Sequence, residues 1–133
     1  MQEPLETKAE KAPDGVFFHK MKETARELLG GGTNGPYTQA IVLRSAKGNL
    51  YGARIENACS DTMAQEVALL QRMLDAEDTE VGYVLCTWGN EWIDLPSFAF
   101  RKMLCACHPK NAEALVFVTA ARGICTKPLT KTM

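Results

Sequence analysis

Apolar positions from Val16 to Leu29 fall at Phe18, Met21, Ala25, Leu28 and Leu29. That spacing places them on one face of a helix. The glycine-rich run GGGTNGP, residues 30–36, stops it. QAIVLRS, 39–45, reads as a strand with a buried middle, and Ala46-Lys47-Gly48-Asn49 is a hairpin-sized turn. Leu50 to Glu56 returns as the partner strand. Ser60 or Asp61 then offers a cap for a helix reaching about Ala76, with a core stripe at Ala64, Val67, Ala68, Leu70 and Leu74. VGYVLCT, 81–87, is a third strand, followed by the polar-aromatic loop WGNEWID, 88–94. Pro96 suits the first helical position of SFAFRKMLCAC, which ends at His108-Pro109. ALVFVT, 114–119, and GICT, 123–126, supply two more strands. The order helix, hairpin, helix, strand, helix, strand, strand predicts an α/β protein: one mixed sheet with helices on both faces.

The chain has 133 residues, which suits a single domain, read here as 16–133 behind a flexible tail at 1–15. Charged residues make up 23% and the formal net charge is −1, so no cationic footprint for nucleic acid or an anionic membrane is expected. The apolar runs are strand-sized, too short to span a bilayer. MQEPLETKAEKAPDG has no apolar core of a secretory signal. The five cysteines, Cys59, Cys86, Cys105, Cys107 and Cys125, are odd in number and irregularly spaced. They fit reduced thiols in the cytoplasm or another reducing compartment.

Three segments carry chemistry. IENAC ends the returning strand, AQEVALLQ opens the next helix, and LPSFAFRKML holds the start of the following one. In this order and spacing they resemble the small zinc-dependent cytidine deaminases, over roughly residues 16–126. In that family a strand ends in N-x-E-N, one helix begins C-A-E and the next begins P-C-x-x-C. The resemblance implies a three-layer α/β/α fold with a sheet of about five strands. It also implies a zinc-held hydroxide that attacks C4 of cytosine, with a glutamate moving protons beside it.

The family pattern breaks at its ligands. One residue shorter than the family spacing, Ala64-Gln65-Glu66 takes the place of C-A-E, so Glu66 keeps the proton-shuttle position and Ala64 replaces a ligand. Without that gap Gln65 would stand at the ligand position. Ser97 and Phe100 replace both cysteines of the second motif. Zinc takes thiolate, imidazole or carboxylate, so these residues imply no metal cofactor. Phe100 has the bulk to fill the space. Cys59 lies where some family members carry a non-ligand cysteine. Cys105, Cys107 and His108 lie at the far end of their helix; the cysteines read as small buried hydrophobes and His108 as a last-turn residue favoured by the helix dipole.

The substrate positions implied by the resemblance are Tyr37 near the base, and Arg54 and Glu56 at the sugar. Arg54 departs from the family asparagine; it would donate to a sugar or phosphate, or pair with Glu56 and close the pocket. Glu66 has a plainer role too, as an acid in a first helical turn. Trp88 and Trp92 would stack on a base or serve a core or interface. The family's C-terminal wall is shortened to KPLTKTM. The reading is a zinc-free, non-deaminating member with a nucleoside- or nucleotide-binding or assembly role, forming a homo-oligomer, with a tetramer favoured. Its alternatives are an active cytidine or deoxycytidine deaminase holding zinc on ligands placed elsewhere, and a non-catalytic subunit beside an active paralogue.

Overall fold

The computed structural model describes residues 12–56 and 61–133. Its centre is β1 (Thr38–Ser45), buried along nearly all its length. β1 pairs antiparallel with β2 (Leu50–Glu56) on one side and with β3 (Val81–Trp88) on the other. β4 (Leu115–Ala120) runs parallel to β3, and β5 (Gly123–Pro128) returns antiparallel to β4. Among the described residues this gives a five-stranded mixed sheet in the order β2-β1-β3-β4-β5. The hairpin between β1 and β2 closes where expected: Gly48 takes φ 93°, a conformation that suits glycine, and its N–H donates to Ser45 O at 2.9 Å.

Alternation along the strands divides the core in two. Ala40, Val42, Leu85 and Phe117 face α1 (Ala12–Leu29), whose Met21, Ala25 and Leu29 cover them. Ile41, Leu43, Ile55, Val84, Cys86 and Val116 face the opposite way. There they meet Leu69, Leu70 and Met73 of α2 (Thr62–Asp75) and Phe100 and Leu104 of α3 (Phe98–Cys107). The result is the three-layer α/β/α architecture that the sequence predicts. Gly52 lets α1 sit close to β2, because a Cβ there would come within 2.8 Å of Leu28 Cδ1.

Several boundaries differ from the sequence reading. α1 starts at Ala12, inside the stretch read as a tail; Pro13 is compatible with a first turn, where its missing N–H costs no hydrogen bond. Pro96 is not the first helical residue of α3: Ser97 is the N-cap, its Oγ accepting from Phe100 N at 3.1 Å. Asp61 occupies the N-cap of α2 but makes no side-chain cap; its carboxylate accepts from the Gln65 side chain at 2.9 Å. Ser60, the other candidate cap, lies outside the described residues.

The largest correction concerns the face of α2. The buried residues are Glu66, Leu69, Leu70 and Met73, whereas Ala64, Val67, Ala68 and Leu74 are exposed. The helix carries two apolar stripes, and the one that includes a glutamate faces the sheet. A hydrophobicity pattern passes over that stripe because its first member is charged.

Candidate functional site

α2 and α3 bring their first turns together on one face of the sheet. Glu66 projects inward from α2 and is 1% exposed. Its Oε2 accepts from Ser97 Oγ at 2.8 Å. Ser97 thus works twice, capping α3 through Phe100 N and donating to the carboxylate. Phe100, one turn on, is fully buried. The Cys86 thiol on β3 is also fully buried; burial raises its pKa, and the nearby charges of Asp94 and Glu66 raise it further. Burial likewise lifts the Glu66 carboxyl above the ordinary carboxylate value, while the Ser97 hydrogen bond pulls it partly back. Glu66 is the fifth residue of a helix that begins at Thr62, so it is not the first-turn acid of the plainer reading.

A second polar group closes the end of β2. Glu56 Oε1 accepts from Thr38 Oγ1 at 2.9 Å, and Oε2 accepts from Arg54 Nε at 2.7 Å. The Thr38 bond lowers its pKa most, burial opposes that, and Arg54 adds to a net lowering. Every nitrogen of the Arg54 guanidinium donates to the protein. Nη1 reaches Leu29 O at 3.0 Å and Asn34 Oδ1 at 2.8 Å, and Nη2 reaches Thr33 O. Of the roles open to Arg54, the geometry displays the pairing with Glu56. Gln65 then ties the strand to the helix: its Oε1 accepts from Glu56 N at 2.8 Å, and its Nε2 donates to Glu56 O at 3.4 Å.

Neither a family model nor a curated protein matches the chain. Solved structures do. Cytidine deaminase from Mycobacterium leprae superposes with a TM-score of 0.63 over 87% of this chain and 96% of its own, at 13% identity. The enzyme from Mycobacterium tuberculosis gives 0.63 over 86% and 92%, at 12%. That from Burkholderia pseudomallei gives 0.62 over 86% and 94%, at 13%. The fold is cytidine-deaminase-like.

Within this cytidine-deaminase-like fold, the positions singled out from sequence separate into groups. Glu66, Ser97 and Phe100 meet in space. Ala64 stays on the exposed side of α2. Glu56 and Arg54 are bonded to each other at the strand end, and Tyr37, 57% exposed, precedes β1 at the same end of the sheet. The Trp88 indole donates to Asp94 Oδ2 at 2.9 Å, which fixes the ring, whereas Trp92 is largely exposed. Cys105, Cys107 and His108 end α3. His108 bridges into a 3₁₀ turn, Pro109–Glu113, with Nδ1 accepting from Lys110 N at 3.0 Å. Burial raises both thiols. Among the described residues no three His, Cys, Asp or Glu side chains are grouped to hold a metal ion. Asn57 and Cys59 lie outside the described residues.

Sequence reasoning weighed Gln65 only as a poor metal ligand, and it did not weigh Thr38 or Cys86 at the site. The signal for Gln65 was its place, nine residues after Glu56 and early in a helix, from which a side chain can reach back to a strand end. No described helix is long and apolar enough to cross a membrane.

Proposed function

We propose that this protein is a zinc-free, non-deaminating member of the cytidine deaminase family, its former reaction centre serving as packed core. The observation that carries this reading is the direct Ser97–Glu66 hydrogen bond beside the buried Phe100 ring. The donor set does not fit Zn²⁺. Ala64 and Phe100 offer no donor atom, and the neutral Ser97 hydroxyl is already engaged with Glu66 and Phe100 N. Without a metal, Glu66 would have only ordinary water to activate, with a pKa near 15.7 instead of ~7. No hydrolytic step is therefore assigned to it.

The test combines metal analysis of chelator-free protein with a cytidine and deoxycytidine deamination assay. Substoichiometric zinc and no turnover are expected. A zinc-to-protein ratio near unity, with turnover lost on Glu66→Gln, overturns the reading in favour of an active deaminase.

An assembly role has its own support. Met63, Val67 and Leu74 of α2 are 57%, 43% and 46% exposed, and Phe98 of α3 is 54% exposed. Apolar side chains this accessible on adjacent helices suit a subunit contact. A homo-oligomer, a tetramer before a dimer, follows from this reading, and light scattering at micromolar concentration tests it; a monomer counts against it.

A further inference from the structure

Asn34 is the one asparagine of five that precedes a glycine. In that pairing the glycine nitrogen, with no Cβ beside it, can reach the asparagine side-chain carbon and close a five-membered ring. The reaction is slow in an ordinary loop. An amide nitrogen parts with its proton reluctantly, and a carboxamide carbon is a poor electrophile. Three neighbours address both obstacles here.

The Gly35 N–H donates to Thr38 Oγ1 at 2.9 Å, and that hydroxyl donates in turn to Glu56 Oε1 at 2.9 Å. The two bonds run one way, from the nitrogen through the hydroxyl of buried Thr38 to a carboxylate. Thr38 N donates back to Gly35 O at 3.3 Å, closing a turn over Pro36 and Tyr37 that holds the nitrogen on this line. On the electrophile, Arg54 Nη1 donates to Asn34 Oδ1 at 2.8 Å and draws electron density from Cγ. Arg54 and Glu56 are themselves paired at 2.7 Å, so the cation and the proton acceptor form one unit. The lowered pKa of Glu56 keeps it ionised at neutral pH. Asn34 and Gly35 are exposed, so water reaches the reacting atoms.

We propose that Asn34–Gly35 is a self-modifying site that converts Asn34 to aspartate or isoaspartate, with Thr38 and Arg54 on the reacting atoms and Glu56 behind Thr38. Gly35 N gives its proton to the Thr38 hydroxyl as that hydroxyl passes its own to Glu56. The nitrogen adds to Asn34 Cγ, and the electron pair of the carbonyl moves to Oδ1, where Arg54 holds the negative charge. The carbonyl re-forms as the Cγ–Nδ2 bond breaks, and Nδ2 takes the proton from Glu56 through solvent and leaves as ammonia. Water then opens the succinimide at either carbonyl. This does not depend on the zinc-free reading, since Glu66, Ser97 and Phe100 take no part.

The experiment incubates the full-length protein at neutral pH, folded and unfolded in urea, and follows Asn34 by peptide-mapping mass spectrometry. The folded chain should convert at least ~10-fold faster than the unfolded one, the equivalent of about 1.4 kcal/mol in barrier height. Thr38→Val, which breaks the proton path, and Glu56→Gln, which removes the acceptor, should each slow the folded chain to the unfolded rate. Thr38→Ser, which keeps the hydroxyl, should retain the fast rate, and a purely structural role for Thr38 would not separate Ser from Val in this way. A folded rate equal to or below the unfolded rate overturns the proposal. So does an unchanged rate in Thr38→Val, or a Thr38→Ser rate as slow as that of Thr38→Val. The folded-to-unfolded comparison needs no variant, so poor folding of a substituted chain leaves the test intact.

Discussion

Among the described residues two carboxylates are buried, and they are treated in opposite ways. Asp78, in the loop between α2 and β3, is 4% exposed; Glu66 is 1% exposed. Burial pushes Asp78 upward, but hydrogen bonds from Asn49, Ser45 and Tyr51 and the charge of Lys47 outweigh it, and its pKa falls below the ordinary value. Asn49 Nδ2 lies 2.9 Å and Tyr51 Oη 2.8 Å from its Oδ2. Among the described residues Glu66 has the single Ser97 donor, and its pKa rises. Asp78 pins a hairpin to a loop and is supplied with enough donors to stay ionised. Glu66 is left short of donors among the described residues, so burial decides the direction of its shift.

The comparison can be broken most forcefully at Phe100. If the ring is what keeps the Glu66 side dry, Phe100→Ala should cost about 3–5 kcal/mol in denaturant unfolding, through lost burial and the cavity left behind. A thermally neutral variant would show a site that does not depend on the ring.

Asp78→Ala should cost about 2–3 kcal/mol, because hydrogen bonds to a charged acceptor are lost and Tyr51 and Asn49 lose their partner. Its pH signature sharpens the contrast. A depressed folded pKa gives stability that is present above the unfolded value of 3.8 and lost as pH falls through the folded pKa. Stability of the parent should therefore drop in acid more steeply than that of Asp78→Asn. Equal acid profiles would remove Asp78 from the argument.

Glu66→Gln should act with the opposite sign. The folded state holds the Glu66 proton more tightly than the unfolded state does, so stability declines as pH rises from 4.5 through the folded pKa. Glu66→Gln should flatten that decline and raise the melting temperature at neutral pH. A lower melting temperature there would mean that the ionised carboxylate is better served than its single donor implies.

The smallest effect is expected at Thr87. Its Oγ1 is buried with no partner among the described residues. Thr87→Val keeps the shape and removes the orphan, so a gain of up to about 1 kcal/mol is expected from chemical denaturation.

The strands and the order of elements were legible because each follows from period, length and turn chemistry within a few residues. QAIVLRS, the Gly48 turn and LYGARIE need nothing distant to specify them. The site was legible only where it repeats a motif. Glu66 and Ser97 stand 31 residues apart, and no spacing rule joins them. Their meeting depends on where α2 and α3 land on the sheet, and α2 lands on the less obvious of its two apolar stripes. Arg54 was readable as a partner for Glu56, but not as a donor to Leu29 O, Thr33 O and Asn34, since backbone acceptors leave no trace in composition.

That guanidinium also determines how the chain between α1 and β1 behaves. Gly30, Gly31 and Gly32 would ordinarily make an exposed connector an easy substrate for proteases, since cleavage needs a stretch of backbone that can unfold locally. With carbonyls at both edges of the triplet held by one side chain from β2, the segment lacks the slack to enter a protease cleft. Arg54 thus ties both edges of the most glycine-rich part of the chain to β2, and resistance of that segment to nicking is expected to depend on a residue two elements away.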